Sequence, residues 1–510
     1  MVGHLKKVET GKNTNTALFI FAGLFFMFYF LSVTPHLDGG DTLVYLSGAE
    51  GISEGKGYVD DSTPFEAPIT IYPPLLSFFI SFFFLAESNA IMVSKIALAA
   101  VAAATVIISV KLYERFMGKD ASLALAAITG VSLLFYWYST KILSDLPFLF
   151  MTLASMHFFL SSADRGFKDR SQLGISLFLL CISFYLRTVA VVLAAAMVAY
   201  LLMKGKRNNA LAFVAVFGIV FITWFAYASI HQSNDSYLDQ FLRADVHNPD
   251  SGIITPFDLA ARLFSNAVFY FFYSIPETVF SPLQLLGQFA GRAFILPFGL
   301  AVLLAMVWGV LEFTERHGRN VLLLFCGLYL AFMLFWGYRD ESAVNRFLLP
   351  VLPILVMIFY YGLVRISALT RLGEFKVAGH GIAAVLLLLV FISSLGAGAY
   401  FIYTLDAREN TQHYADLEES AVWLKQNARQ GNYIYGNEWQ RLHFMSGLKG
   451  FAGRTPLESN ELSAFIGNNG FDYVVVTSLG WPEKETLQGL YAGNEVFRSS
   501  SGNAIIYKTH

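Results

Sequence analysis

The chain has 510 residues, of which 55% are hydrophobic, 14% are charged and 49 are phenylalanine. Soluble domains carry about 25% charged residues, so a water-soluble chain of this length could not hide so much apolar surface, and lipid must be its main solvent. The formal net charge of −2 says nothing about nucleic acid, since the balance matters only loop by loop, and the two cysteines, Cys181 and Cys326, sit inside apolar runs as packing thiols and not as a disulfide framework.

In chain order, MVGHLKKVETGKNTNT precedes an apolar run at 17–33 that is long enough to span and has no small-residue cleavage site after it, so it reads as a retained first helix. Further runs fall at 90–110, 121–138, 145–162, 172–186, 188–203, 209–230, 292–312, 320–336, 346–364 and 378–402. Each approaches the ~20 residues a helix needs to cross the hydrocarbon core. Basic loops alternate along the chain: Lys6, Lys7 and Lys12, then Lys111, Arg115 and Lys119, then Arg165, Lys168 and Arg170, then Lys204, Lys206 and Arg207, then Arg316 and Arg319, then Arg365, Arg371 and Lys376. The positive-inside rule makes these loops and the N-terminus cytoplasmic. A shorter run, 73–86, begins with Pro73-Pro74; the alternation holds only if it does not cross, so a re-entrant or juxtamembrane helix is expected there.

The non-cytoplasmic side then receives a long acidic first loop (34–89), a short loop (139–144), a long loop (231–291) and everything after residue 403. Residues 405–510 have ordinary soluble composition. A helical pattern at 414–428 and short apolar strands at 432–436, 472–478 and 503–508 predict a small extracytoplasmic α/β domain with a largely parallel sheet. The expected fold class is therefore a polytopic α-helical membrane protein of about eleven spans plus one non-crossing helix, with 1–404 as the membrane domain and 405–510 as the soluble one.

Several outer-face residues could carry chemistry. Asp38 and Asp41 flank two glycines in LDGGDTLVYL, and the helical spacing after Asp41 suggests an interfacial helix. Asp41 is either a cap for that helix or a general base at the membrane face. Asp145, in LSDLPFLF, also opens a helix, but an acid at a membrane boundary is costly unless paired or functional. Two carboxylates on one side could share a divalent cation or divide base and orienting roles. Arg187 and Arg346 end or open spans on the same face; they either snorkel or grip a phosphate through bidentate hydrogen bonds. Lys141 is a third cation beside Asp145, and Asp340 and Glu341 are further outer acids. No nucleotide-binding glycine pattern and no histidine-rich or zinc motif is present.

Taken together, these residues resemble the GT-C membrane glycosyltransferases, above all the protein O-mannosyltransferases and the lipid A aminoarabinose transferases. Their first outer loop carries an Asp-Glu-x-x-Tyr motif, then Gly-aromatic, then Pro-Pro-Leu. Asp41-Thr42-Leu43-Val44-Tyr45, Gly57-Tyr58 and Tyr72-Pro73-Pro74-Leu75 look like these. Ser144-Asp145-Leu146-Pro147 looks like the family's second acidic motif, and Arg346-Phe347-Leu348-Leu349-Pro350 through Pro353 like its late Arg-aromatic-Leu-Leu-Pro-x-x-Pro. Thr42 stands where the family has Glu, and Tyr72 where the aminoarabinose transferases have the lysine that helps hold the lipid phosphate.

The resemblance covers most of residues 15–400 and implies an inverting transferase in the plasma membrane, moving a sugar from a polyprenyl-phosphate donor to a glycan, lipid or protein acceptor. It implies Asp41, with Asp38 and Asp145, at the reaction; Arg346, Arg187 and Lys141 at the donor phosphate; and Tyr45, Tyr72 and Glu341 positioning substrate. No cofactor is certain, a divalent cation at Asp41 and Asp145 stays open, and no nucleic-acid partner is expected. The alternative is a transporter or flippase of lipid-linked sugars, which would need polar groups at mid-membrane depth; the runs here are almost free of them.

Overall fold

A computed structural model describes residues 13–34, 36–86, 89–231, 242–244, 251–318, 320–337, 345–369, 388, 391–396, 399, 411–452, 459–477 and 483–509. Two compact units emerge. One comprises Met1–Thr34, Thr70–Leu75 and Met92–Gly398; the other comprises Pro35–Ile69, Leu76–Ile91 and Ala399–His510.

The helices, in chain order, are α1 (Asn13–Phe30), α2 (Asp41–Ser53), α3 (Leu75–Ala86), α4 (Ala90–Tyr113), α5 (Lys119–Val131), α6 (Leu133–Ser139), α7 (Asp145–Asp164), α8 (Arg170–Leu186), α9 (Ala190–Met203) and α10 (Arg207–Ile230). Then come α11 (Pro256–Phe269), α12 (Ile275–Val279), α13 (Pro282–Ala290), α14 (Arg292–His317), α15 (Val321–Phe335) and α16 (Leu352–Leu369).

Five helical stretches are long and apolar enough to cross a membrane: Ala90–Tyr113, Asp145–Asp164, Arg207–Ile230, Ala293–His317 and Asn345–Ala368. The α5–α6 pair makes a sixth, bent by 63°. The bend has a local cause. Ser132 leaves helical geometry, and its hydroxyl caps the new helix by accepting from the Phe135 amide while donating to the Thr129 carbonyl. The apolar runs at 17–33, 172–186, 188–203 and 320–336 also form helices, shorter ones; the run at 378–402 lies almost wholly outside the described residues. The 12 residues of α3 rise only ~18 Å, too little to cross the core. Leu76, Ser77, Ile80 and Ser81 are buried on it, while Phe78, Phe79, Phe82 and Leu85 are exposed.

Within the first unit α16 is the central element, its spanning window 89% buried, whereas that of α10 is 22% buried and faces outward. The crossing of α14 and α16 is unusually close. A Cβ on Gly309 would stand 1.9 Å from the Ile358 carbonyl oxygen, and one on Gly362 would stand 1.9 Å from that of Ala305. Only glycine permits this, and such small-residue contacts are how helices meet where lipid supplies no hydrophobic drive.

The second unit holds α2, most of α3 and the region after residue 411. Its helices there are α17 (Thr411–Asn427), α18 (Trp439–Ser446), α19 (Ser459–Asn468) and α20 (Lys484–Leu490), and its strands are β1 (Ile434–Tyr435), β2 (Gly450–Phe451), β3 (Tyr473–Val476), β4 (Glu495–Arg498) and β5 (Ile505–Lys508). The strand order is β2-β1-β3-β5-β4. The sequence pattern predicts a largely parallel sheet; the sheet is mixed, with β1 parallel to β2 and β3 but β5 antiparallel to β3 and β4. The reason is the short β4–β5 connection, turned by Gly502 at φ 81°, because a tight hairpin can join only antiparallel strands. Val474, Val476, Ile505 and Tyr507 pack on Leu462 and Ile466 of α19 on one face; Val475 and Ile506 meet Leu417 and Leu424 of α17 on the other.

Candidate active site

In the first unit three distant segments converge. Asp145 is the first residue of α7, where the preceding Ser144 makes no side-chain cap, so its carboxylate is available for tertiary contacts. Arg187 lies where α8 stops: its backbone is extended (φ −150°, ψ 129°), and α9 restarts at Ala190. Arg346 lies in the seven-residue 3₁₀ segment Asn345–Val351 that leads into α16; Pro350 and Pro353 disfavour a regular α-helix before them.

The Arg346 Nε lies 3.0 Å from each Asp145 oxygen, and its Nη2 lies 2.8 Å from Oδ2. Arg187 donates from Nη1 to Oδ1. The Asp145 side chain is 1% exposed, against 20% for Arg187 and 14% for Arg346. Aromatic faces help set both guanidiniums: that of Arg187 lies 5.9 Å from the Phe347 ring centroid, and that of Arg346 lies 5.9 Å from that of Tyr138. The Tyr329 hydroxyl donates to the Phe347 carbonyl at 2.8 Å, fixing the turn that carries Arg346. One carboxylate is shared by two guanidiniums, whose planar forks also match the geometry of a phosphate. Beside Arg187 opens an apolar cavity of about 340 Å³, walled by Phe221, Phe225, Phe332, Met333 and Trp336. Lys141, in the same unit, places its ammonium 3.8 Å from the Trp137 ring centroid. Tyr72 is half-buried in the turn before α3. Glu341 lies outside the described residues.

The second unit carries the other acids. Asp41 opens α2 and is half-buried; Gly40 before it takes φ 63°, which favours glycine. Tyr45, one turn on, is buried, and its carbonyl accepts from Ser77 Oγ at 2.9 Å. The α2 helix is thus packed into protein along most of its length: a Cβ on Gly48 would come within 2.6 Å of the Tyr58 ring.

Residues beyond 411 that the sequence reading did not single out hold the Asp38–Asp41 segment. The Tyr414 hydroxyl donates to the Leu37 carbonyl at 2.5 Å, and its ring meets His36 at 5.0 Å. Arg441 lies 5.3 Å from the Tyr414 ring centroid, pairs with Glu438 at 3.0 Å, and sits so near Gly39 that a Cβ there would be 2.7 Å from Nη2. Burial pushes the Tyr414 hydroxyl pKa up; Arg441 opposes this and the charge of Asp38 adds to it. His443 Nε2 meets Glu50 Oε2 at 2.7 Å across 393 residues of sequence. Such pairings leave no trace in local spacing.

Carboxylate oxygens of Glu50, Glu54 and Asp61 lie within 4.8 Å of one another. Ammonium groups are already among them: Lys56 Nζ is 2.5 Å from Glu54 and 2.6 Å from Asp61, and Lys449 Nζ is 2.8 Å from Asp61 and 2.6 Å from Glu66. The arrangement is a charge network in which two ammonium groups partly offset the carboxylates.

Residues 72–230 match the family described as dolichyl-phosphate-mannose-protein mannosyltransferase. The whole architecture is shared more widely. The apo structure of ArnT from Cupriavidus metallidurans aligns with a TM-score of 0.61 at 14% identity, covering 98% of this chain and 99% of that one. The chain shares the fold of ArnT. A second structure of the same ArnT, bound to undecaprenyl phosphate, aligns over 97% of this chain and 98% of that one at 15% identity and a TM-score of 0.60. The Archaeoglobus fulgidus oligosaccharyltransferase, in complex with Zn and sulfate, aligns over 96% of this chain and 72% of that one at 13% identity and a TM-score of 0.54. No curated protein matches the chain in sequence. On this fold, Asp145, Arg187 and Arg346 come together, while Asp38, Asp41 and Tyr45 share one segment of the second unit.

Proposed function

We propose that the chain is a membrane glycosyltransferase that takes a sugar from a polyprenyl-phosphate donor and passes it to an acceptor on the extracytoplasmic side. The observation that carries this reading is the buried Asp145 clamped by Arg187 and Arg346 beside an apolar cavity. A polyprenyl phosphate has the matching chemistry, a dianionic or monoanionic head on a long hydrocarbon tail. The head suits guanidinium donors and the tail suits a wall of Phe and Met. The family match over 72–230 and the undecaprenyl phosphate held by ArnT support the same substrate class.

In the proposed reaction an acceptor hydroxyl or amine attacks the anomeric carbon as the bond from that carbon to the phosphate oxygen breaks. The electron pair leaves with the polyprenyl phosphate, and Arg346 and Arg187 stabilise the charge gathering there. The acceptor's proton passes to the Asp41 carboxylate. Single displacement inverts the anomeric centre. Asp145 orients the two arginines, which its guanidinium contacts suit better than the cation binding considered from sequence.

The test uses full-length protein purified from its native membrane, with bound lipids identified by mass spectrometry and transfer followed with the donor so found. Co-purifying polyprenyl phosphate should be present and should fall at least tenfold in Arg346→Ala. Asp41→Asn should lower transfer by roughly 10²–10⁴-fold, the usual worth of a general base, while leaving lipid retention intact. A wild-type protein that neither retains polyprenyl phosphate nor binds it when added would overturn the proposal.

A further inference from the structure

At the opposite end of α7 from Asp145, about 30 Å along that 20-residue helix, the first unit has a second cavity of about 470 Å³. Its walls come from the ends of α4, α7, α9 and α14 and from the residues just before α10 and α15, including Arg115, Asp164, Lys204, Lys206, His317 and Asn320. These segments belong to the basic loops that the charge alternation assigns to the cytoplasm. Alternation alone explains why they are basic. It does not explain why Arg115 and the lysines Lys204 and Lys206, from two separate loops, share one concavity.

Two of the groups are already committed. Arg115 pairs with Asp164 at 2.6 Å and donates to the His157 carbonyl at 3.3 Å, which neutralises the one acid in the wall. His317 Nε2 is 2.8 Å from the Tyr361 hydroxyl. Lys204 and Lys206, on either side of Gly205, make no ion pair among the described residues; Lys204 only reaches over the Tyr200 ring, at 5.4 Å. Two helix N-termini add to their field. Lys206 immediately precedes the 24-residue α10, and Asn320 caps the 15-residue α15 by accepting from the Leu322 amide at 3.1 Å. Two ammonium groups without an ion pair among the described residues, together with two helix N-termini, make this concavity favourable to an anion.

The geometry points to this cavity as a binding site for the phosphate head of an anionic membrane phospholipid, separate from the Asp145 cluster. A helix-end position puts it at headgroup depth, where basic pockets between spans take acidic lipids. Phe116, Leu160 and Phe167 form the remaining wall, which an acyl-glycerol stem would cover and an inorganic anion would leave bare.

The experiment is a native mass spectrometry titration of the full-length protein in detergent with phosphatidylglycerol, phosphatidylethanolamine and inorganic phosphate. Wild type should bind phosphatidylglycerol at least fivefold more tightly than phosphatidylethanolamine. The double variant Lys204→Ala/Lys206→Ala should weaken phosphatidylglycerol binding about tenfold, and Lys204→Arg/Lys206→Arg should preserve it. A control, Lys119→Ala/Lys168→Ala, removes two exposed basic residues of the neighbouring loops outside the cavity wall and should change nothing. Equal binding of the two lipids by wild type, or equal losses in the control and cavity variants, overturns the site. Displacement of the lipid by millimolar phosphate overturns the lipid assignment in favour of a soluble anion. None of these outcomes depends on transferase activity.

Discussion

Both units are built around ion pairs, but the two networks differ in kind. In the first, a carboxylate that is 1% exposed is held by two arginines at the helix ends of a membrane bundle. In the second, Asp61 is held by two lysines, with Glu54 and Glu66 at the wet rim, 47% and 42% exposed. Water screens the rim pairs of Glu54 and Glu66, which are worth little; Asp61 is itself only 3% exposed, but two separate lysines share it, so either can be lost while the other still pairs it. The first has almost no water to fall back on, and its planar guanidiniums give geometry as well as charge. A site that must recognise a phosphate needs the former; a surface that must hold a loop onto a sheet can use the latter.

The contrast should be broken most severely by Asp145→Ala. It leaves two largely buried guanidiniums without their common partner and should destabilise the first unit by about 3–5 kcal/mol, read as a lowered melting temperature of the detergent-purified protein. A melt within a degree of wild type would mean the cluster is wetter than its burial implies.

Arg346→Lys sharpens the point. The charge stays but the fork is lost, so the loss should be that of a charged hydrogen bond, about 1.5–3 kcal/mol, with polyprenyl-phosphate retention falling alongside. Lys449→Ala in the second unit should cost about 1 kcal/mol or less, since Lys56 still pairs Asp61.

The pH response gives that variant a signature. Burial alone would raise the Asp61 pKa, but hydrogen bonds from Lys449 and Lys56 hold it below the usual carboxylate value. Glu66 is lowered too, by its hydrogen bond to Lys449. A depressed folded-state pKa stabilises above the unfolded pKa of about 4 and is lost as pH falls through the folded value. Acid melts of Lys449→Ala should therefore show a smaller loss of stability below pH 4 than wild type. Smallest of all, Arg498→Ala removes only the exposed pair with Glu495 and should leave the melt unchanged.

Much of this was legible in the sequence, and the boundary of legibility is physical. Apolar runs and alternating loop charge mark helices because a span must satisfy its own backbone, and helices do form on those runs wherever they are described. Asp145, Arg187 and Arg346 could be marked as candidates because charge at a span's end is costly. Their mutual contact, across 201 residues between Asp145 and Arg346, could not. The sheet was half legible: β-rich runs showed the strands, but the antiparallel half depended on a hairpin at Gly502. Arg441, Tyr414 and His443 escaped notice because an ordinary soluble helix surrounds each, and only tertiary contacts bring them to the first loop. The cavity at Lys204 and Lys206 was hidden in plain view, since each lysine already had a sufficient explanation as a marker of sidedness.

The glycine crossing of α14 and α16 has a bearing on how the bundle can move. Two main chains in direct touch at Gly309 and Gly362 lock the register of α14 against α16, which can slide only by breaking that fit. The turn bearing Arg346 leads directly into α16, so the height of its guanidinium is set by the same crossing.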